Sequence, residues 1–91
     1  MSTPLATDPA PRVSRRFRLQ WEDAQQAWVL LYPEGMVKLN QSAGEILRRC
    51  DGSRSVPEIV AELEQAFDAS GLADDVTQFL ELARRQQWIE R

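Results

Sequence analysis

Residues 28–47 read WVLLYPEGMVKLNQSAGEIL, and this stretch decides the fold. The apolar run from Ala27 to Tyr32 predicts a strand buried on both faces, as expected of the middle strand of a meander. Pro33-Glu34-Gly35 then turns the chain. Pro33 presets φ for the first turn position, and Gly35 is expected to take the left-handed conformation that closes a three-residue hairpin loop. Met36 to Leu39 returns as a short strand and passes directly into a helix. Asn40 and Ser42 are both candidate N-caps, and Ser42 with Glu45 has capping-box spacing. The returning strand is expected near the edge of a very small sheet, where unpaired backbone N–H and C=O groups can accept another strand.

Outward from this stretch the pattern continues. Phe17-Arg18-Leu19-Gln20-Trp21 alternates strictly, which predicts a half-buried strand, and Glu22 to Gln26 is a polar loop. Met1 to Ser14 is rich in Pro, Ser, Thr and Ala without periodicity. It is expected as a mobile arm over residues 1–14, ahead of a domain over 15–91. Downstream, Asp51-Gly52 is expected to end the first helix. Ser55-Val56-Pro57-Glu58 is a capping box with proline tolerated in the first turn. Ile59, Val60, Leu63 and Phe67 follow at helical spacing, and Ser70-Gly71 breaks the chain. A third helix is predicted over 73–87, with Val76, Phe79, Leu80 and Ala83 on one stripe. Trp88-Ile89 closes the chain as an apolar clasp. Three antiparallel strands followed by three helices predict an α+β domain of winged-helix-like shape, with the helices on one face of the sheet.

Composition narrows the function. Ninety-one residues with 43% hydrophobic content make one domain with a small core. The net charge of -3 argues against unspecific nucleic-acid binding. A lone cysteine, Cys50, fits a reducing compartment, and neither a membrane-length apolar run nor a secretory signal is present. The expectation is a cytoplasmic protein. Charge is uneven: Arg12, Arg15, Arg16 and Arg18 cluster, whereas acids dominate from Asp51 onward. Solubility is the simpler account, and two docking surfaces of opposite sign the sharper one.

Catalytic chemistry is sparse. The chain has no histidine, which removes the commonest general base and metal ligand together. Cys50 lies beside Arg48 and Arg49, which would favour a thiolate, but without a histidine partner it reads as a structural cysteine. Asp74-Asp75 fits the first turn of the last helix better than a cation site, which needs more converging carboxylates. No glycine-rich phosphate loop exists. Trp21 and Trp88 read as core residues, and Trp28 as either core or contact surface. No catalytic residue, cofactor or metal is expected.

The segments Phe17-Arg18-Leu19-Gln20-Trp21-Glu22, Val29-Leu30-Leu31-Tyr32-Pro33-Glu34-Gly35 and Lys38-Leu39-Asn40 strongly resemble the PqqD family. So do Ile46-Leu47, Cys50-Asp51-Gly52, Glu58-Ile59-Val60 and the Asp75-Val76…Phe79-Leu80…Trp88-Ile89 ending. The resemblance runs from about Arg16 to Ile89. Gly44 and Gln86-Gln87 read as tolerated variation. The resemblance implies a non-enzymatic accessory protein of pyrroloquinoline quinone biosynthesis. Such proteins bind the precursor peptide PqqA and present it to PqqE, a radical S-adenosylmethionine enzyme that cross-links a glutamate and a tyrosine of the peptide. It also implies that the peptide is held as an added strand between the third strand and the third helix.

The residues agree with such a groove. Arginines discourage pairing at the first strand's edge, whereas the third strand carries a single charge. Strand addition takes affinity from main-chain bonds and selectivity from alternate side chains. The candidate peptide-binding residues are Met36, Val37, Lys38, Leu39, Asp75, Phe79, Leu82 and Gln86. Val37 and Leu39 are equally readable as core, and Phe79 also has a core reading. The main rival is a winged-helix DNA-binding domain with Arg84-Arg85 on phosphate. Asp74-Asp75 at the start of that helix opposes it. Neither nucleic acid nor membrane is an expected partner. The oligomeric state is open between a monomer and a homodimer, domain-swapped or not.

Overall fold

A computed structural model describes residues 10–90. Strands β1 (Arg12–Val13), β2 (Arg18–Glu22), β3 (Ala27–Tyr32) and β4 (Gly35–Lys38) precede helices α1 (Gln41–Leu47), α2 (Val56–Ala66) and α3 (Ala73–Arg85), and β5 (Ile89–Glu90) follows. The order β2-β3-β4 forms the expected antiparallel meander. Its register places Trp21 opposite Trp28, and Leu19 and Val37 both opposite Leu30. These pairs share one face, because residues directly opposite point the same way. Leu30 anchors the core there, with Leu47, Ile59, Leu63, Val76 and Ala83 from the helices. The middle strand is buried on both faces, since Val29 and Leu30 are each 0% exposed.

The hairpin is tighter than the sequence suggests. Tyr32 pairs with Gly35, so the loop is the two residues Pro33-Glu34 and Gly35 belongs to the strand. Gly35 is absent from the residues with positive φ. Proline at the first loop position cannot take positive φ, so the turn closes in the ordinary right-handed region and needs no left-handed glycine.

Strand and helix meet at Asn40. The Leu39 N–H still donates to Trp28 O at 3.0 Å, so the chain can leave the ladder only after Leu39. Asn40 is extended and its side chain accepts from Ala43 N at 2.7 Å. That makes Asn40 the N-cap and leaves Ser42 inside the helix. α1 ends at Leu47, ahead of Asp51-Gly52. Gly52, at φ +85, instead shapes a turn whose N–H donates to Pro11 O. Ser55 and Glu58 complete both halves of the capping box on α2. α3 is shorter than expected. Gln87 takes φ 65, its N–H donates to Arg84 O, and Trp88 N donates to Ala83 O. Those two bonds are a Schellman closure, which satisfies the carbonyls of Ala83 and Arg84.

Residues 12–14, within the stretch expected as an arm, are paired, and residues 1–9 lie outside the described part. β1 pairs antiparallel with β5, Arg12 opposite Glu90 and Val13 opposite Ile89. Val13 N donates to Cys50 O, and Ser14 N to Trp88 O. Two-residue strands carry no periodicity, so only the partner strand at the chain end shows why this segment is ordered.

Gly44 is more than tolerated variation. A Cβ built there would lie 2.7 Å from Trp28 Cδ1 and 2.9 Å from Trp28 Cβ. α1 approaches the sheet this closely only because residue 44 has no side chain.

Candidate functional site: the open edge beside the last helix

β4 is an outer strand with β3 on one side only. The ladder shows which of its groups are unpaired. Leu39 bonds to Trp28, and antiparallel pairing alternates between bonded and non-bonded positions. Val37 and Gly35 therefore direct their backbone polar groups inward, and Met36 and Lys38 direct theirs to the open edge. The side chains divide differently. Met36 is 45% exposed and Lys38 is exposed. Val37 is half-buried at the margin of the core, and Leu39, at 5% exposure, lies within the core.

Cavities at the two ends of α3 show how it runs relative to the sheet. Near the hairpin, Gln86 and Gln87 face Phe17, Tyr32, Pro33 and Glu34 across a cavity of about 370 Å³. At the other end, Asp75 and Val76 share a cavity of about 240 Å³ with Gln41, Ser42, Ile46 and Phe67. The end of α3 faces the hairpin that precedes β4, and its beginning faces the residues just after β4. The helix therefore runs antiparallel to the strand. Phe79, between these ends, packs at the core margin like Val37 and lies 6.4 Å from the Trp88 ring. Leu82 is 41% exposed, and Gln86 is exposed at the helix end.

The eight candidate residues thus fall into two sets. Met36, Lys38, Asp75, Leu82 and Gln86 are exposed along the strand and helix, whereas Val37, Leu39 and Phe79 support them from the core. Tyr32, Pro33 and Glu34 at the hairpin line a cavity with Gln86 of the first set. The hairpin's distinctive run of residues was the available signal.

Elsewhere among the described residues, the cysteine and several charged side chains are engaged within the fold. Cys50 is 3% exposed and its thiol donates to Ile46 O. Burial, with the charge of Asp51 adding, pushes this thiol up to about 12, so it stays protonated at neutral pH. The acids of α2 are engaged within the fold. Glu62 accepts from Arg54 Nε at 2.7 Å and Arg49 Nε at 3.2 Å, and Glu58 is held in the capping box. Arg84 pairs with Glu81, and Asp74 and Asp75 occupy the first turn of α3. Trp21, expected in the core, is 44% exposed. Its ring meets Trp28 edge-on, and its indole N–H donates to Asp23 Oδ1 at 3.1 Å. It lies on the outer strand β2 at the end of the sheet, so alternation alone does not cover it.

The family model for coenzyme PQQ synthesis protein D (PqqD) matches residues 27–89. The chain belongs to the PqqD family. Relatives named PqqA binding protein include one from Azotobacter vinelandii, 56% identical over 81 residues and covering 88% of each chain. Another, from Pseudomonas aeruginosa, is 54% identical over 91 residues, covering 99% of this chain and 98% of the relative. Among solved structures, the PqqD truncation of Methylobacterium extorquens PqqCD matches with a TM-score of 0.75 and 30% identity. The match covers 93% of this chain and 92% of that one. That structure is described as a functional, stand-alone recognition element for ribosomally synthesized and post-translationally modified peptides. This PqqD-family member shares its α+β fold, and among the described residues no helix is long and apolar enough to cross a membrane.

Proposed function

We propose that this domain is a non-enzymatic peptide chaperone. It binds the PqqA precursor as an added strand on β4 and presents it to the radical S-adenosylmethionine enzyme PqqE for glutamate–tyrosine cross-linking. The observation that carries this reading is the open edge of β4, with the backbone groups of Met36 and Lys38 facing outward. Main-chain pairing supplies affinity, and the exposed face of α3 reads the peptide's alternate side chains. Met36, with a flexible thioether, adapts to those side chains. The names of the relatives support the peptide's identity. The absence of histidine from the chain and the buried, protonated thiol support a role without turnover.

Titration of the labelled domain with the PqqA peptide tests this reading. The amides of Met36 and Lys38 and those of one flank of α3 should shift saturably, with the peptide's mass unchanged. Shifts confined to β2 or α2 would refute it. The cationic segment at Arg15, Arg16 and Arg18 is the enzyme-docking surface in this reading. Charge reversal there should slow enzyme association and change its salt dependence while sparing peptide binding. The acids of α2 are less suitable for this, because Glu58 and Glu62 already hold the fold together.

A further inference from the structure

A third cavity, of about 400 Å³, opens at the Lys38 end of β4. Trp21 and Trp28 wall it, their ring centroids 5.6 Å apart and their planes at 71°. Gln25, Gln26, Lys38 and Gln41 are on its rim. Three features set it apart from ordinary surface. Trp21, 44% exposed, and Trp28 present two large rings to one opening. Trp28 is fixed from behind, since it packs on Gly44 and carries Arg48 5.8 Å from its ring centroid. Trp21 is held by its bond to Asp23. The aromatic walls are thus preformed, and Gln25 and Gln41 supply side-chain amides that can bond a passing main chain, whereas the Gln26 amide N–H donates to Asp23. Rigid aromatic rings inside a polar rim are the composition of an interface hot spot.

The cavity also reaches the end of the edge strand. Lys38, the last residue of β4, lines it together with Leu39 and Asn40. A chain paired with β4 leaves the edge at this point. From this we infer that the Trp21–Trp28 cavity takes an apolar side chain of the precursor peptide, from the residues that lie just outside the strand-paired stretch. The inference rests on the strand-addition reading. It makes the bound segment longer than β4 itself, with one apolar anchor beyond the backbone pairing.

The test uses the full chain with two peptides, the complete precursor and a version cut down to the strand-paired stretch. Trp21→Ala should weaken binding of the complete precursor about tenfold and leave binding of the short peptide unchanged. The half-exposed Trp21 indole N–H of the parent should shift with the complete precursor and stay still with the short one. That measurement needs no variant, so it stands even if Trp21→Ala misfolds. If Met36 and Lys38 shift but the indole does not, and Trp21→Ala binds like the parent, the cavity inference is overturned and the edge reading survives. If the edge amides stay still as well, the edge reading fails. An indole that moves only on adding the enzyme overturns the inference in favour of enzyme docking.

Discussion

The α1–α2 side and the β4–α3 side of this domain handle their polar groups in opposite ways. On the first, polar groups are paired within the chain. Arg49 bonds Glu45 and Glu62, Arg54 bonds Glu62 and Asp51, and Ser55 and Glu58 cap α2 reciprocally. On the second, a strand has no further strand on its outer side among the described residues, and α3 exposes Leu82 and Gln86. A small domain has little surplus stability. It can leave one edge unpaired only when the rest of the fold holds without it. If the proposed function holds, one side carries stability and the other recognition, and changes on the two sides should separate these properties.

Proline substitution along β4 tests that separation most strongly. Lys38→Pro removes an outward N–H. Melting should stay near the parent's, and peptide affinity should fall about five- to 150-fold, the equivalent of about 1–3 kcal/mol for a lost bond at a desolvated pairing. Val37→Pro removes an inward N–H that serves β3, so its main effect should be a lower melting temperature. Parent-like binding by a folded Lys38→Pro protein would place the peptide elsewhere.

Gly44→Ala probes the seam between the two sides. Helix propensity alone favours alanine by about 0.5–1 kcal/mol. The contact with Trp28 outweighs that gain, and overpacking should leave a net loss of about 1–3 kcal/mol, measured by denaturant unfolding. A stabilised variant would mean that α1 can lift off the sheet freely.

Ser55→Ala removes half of the capping box and should lower stability by about 1 kcal/mol, with peptide affinity unchanged under conditions where the protein is folded. A parallel fall in affinity at full folding would break the division between the sides.

The smallest effect is pH dependence, and its sign follows from the carboxylates. Hydrogen bonds from Arg54 and then Arg49 hold Glu62 below its ordinary 4.5, and Ser53 followed by Arg54 lowers Asp51 from 3.8. For Glu45, burial pushes upward, but Arg49 and Arg48 more than offset it and the net shift is down. Groups with lowered folded pKa values contribute stability above their ordinary range and lose it as pH falls through the folded values. Melting temperature should therefore decline below about pH 4.5. The decline should be shallower in Glu62→Gln. An unchanged slope in that variant would remove the ion network from the account.

Much of this was legible in the sequence, for identifiable reasons. The meander followed from alternation in β2 and the apolar run of β3, and α2 from its capping box, since each is a local pattern read within one element. What escaped depended on contacts between distant segments. Gly44 looks incidental until Trp28 is placed against it. Asn40 and Ser42 compete as caps until the ladder bond of Leu39 decides between them. Trp21 alternates like a core residue, and only its place at the sheet's end leaves it half in water. The candidate site divided along the same line. The edge strand was visible from charge and length, but which of its residues face outward depended on one hydrogen bond, from Leu39 to Trp28.

The pairing of β1 with β5 has a mechanical consequence. Arg12 lies opposite Glu90, so the two segments leave the domain side by side. Tension applied across them meets ladder bonds that lie perpendicular to the strands. It peels those bonds in succession instead of shearing them together. Pulled at both ends, the molecule should yield first at this clasp, at low force. The β2-β3-β4 meander, which lies outside that line of load, should remain folded and its open edge intact.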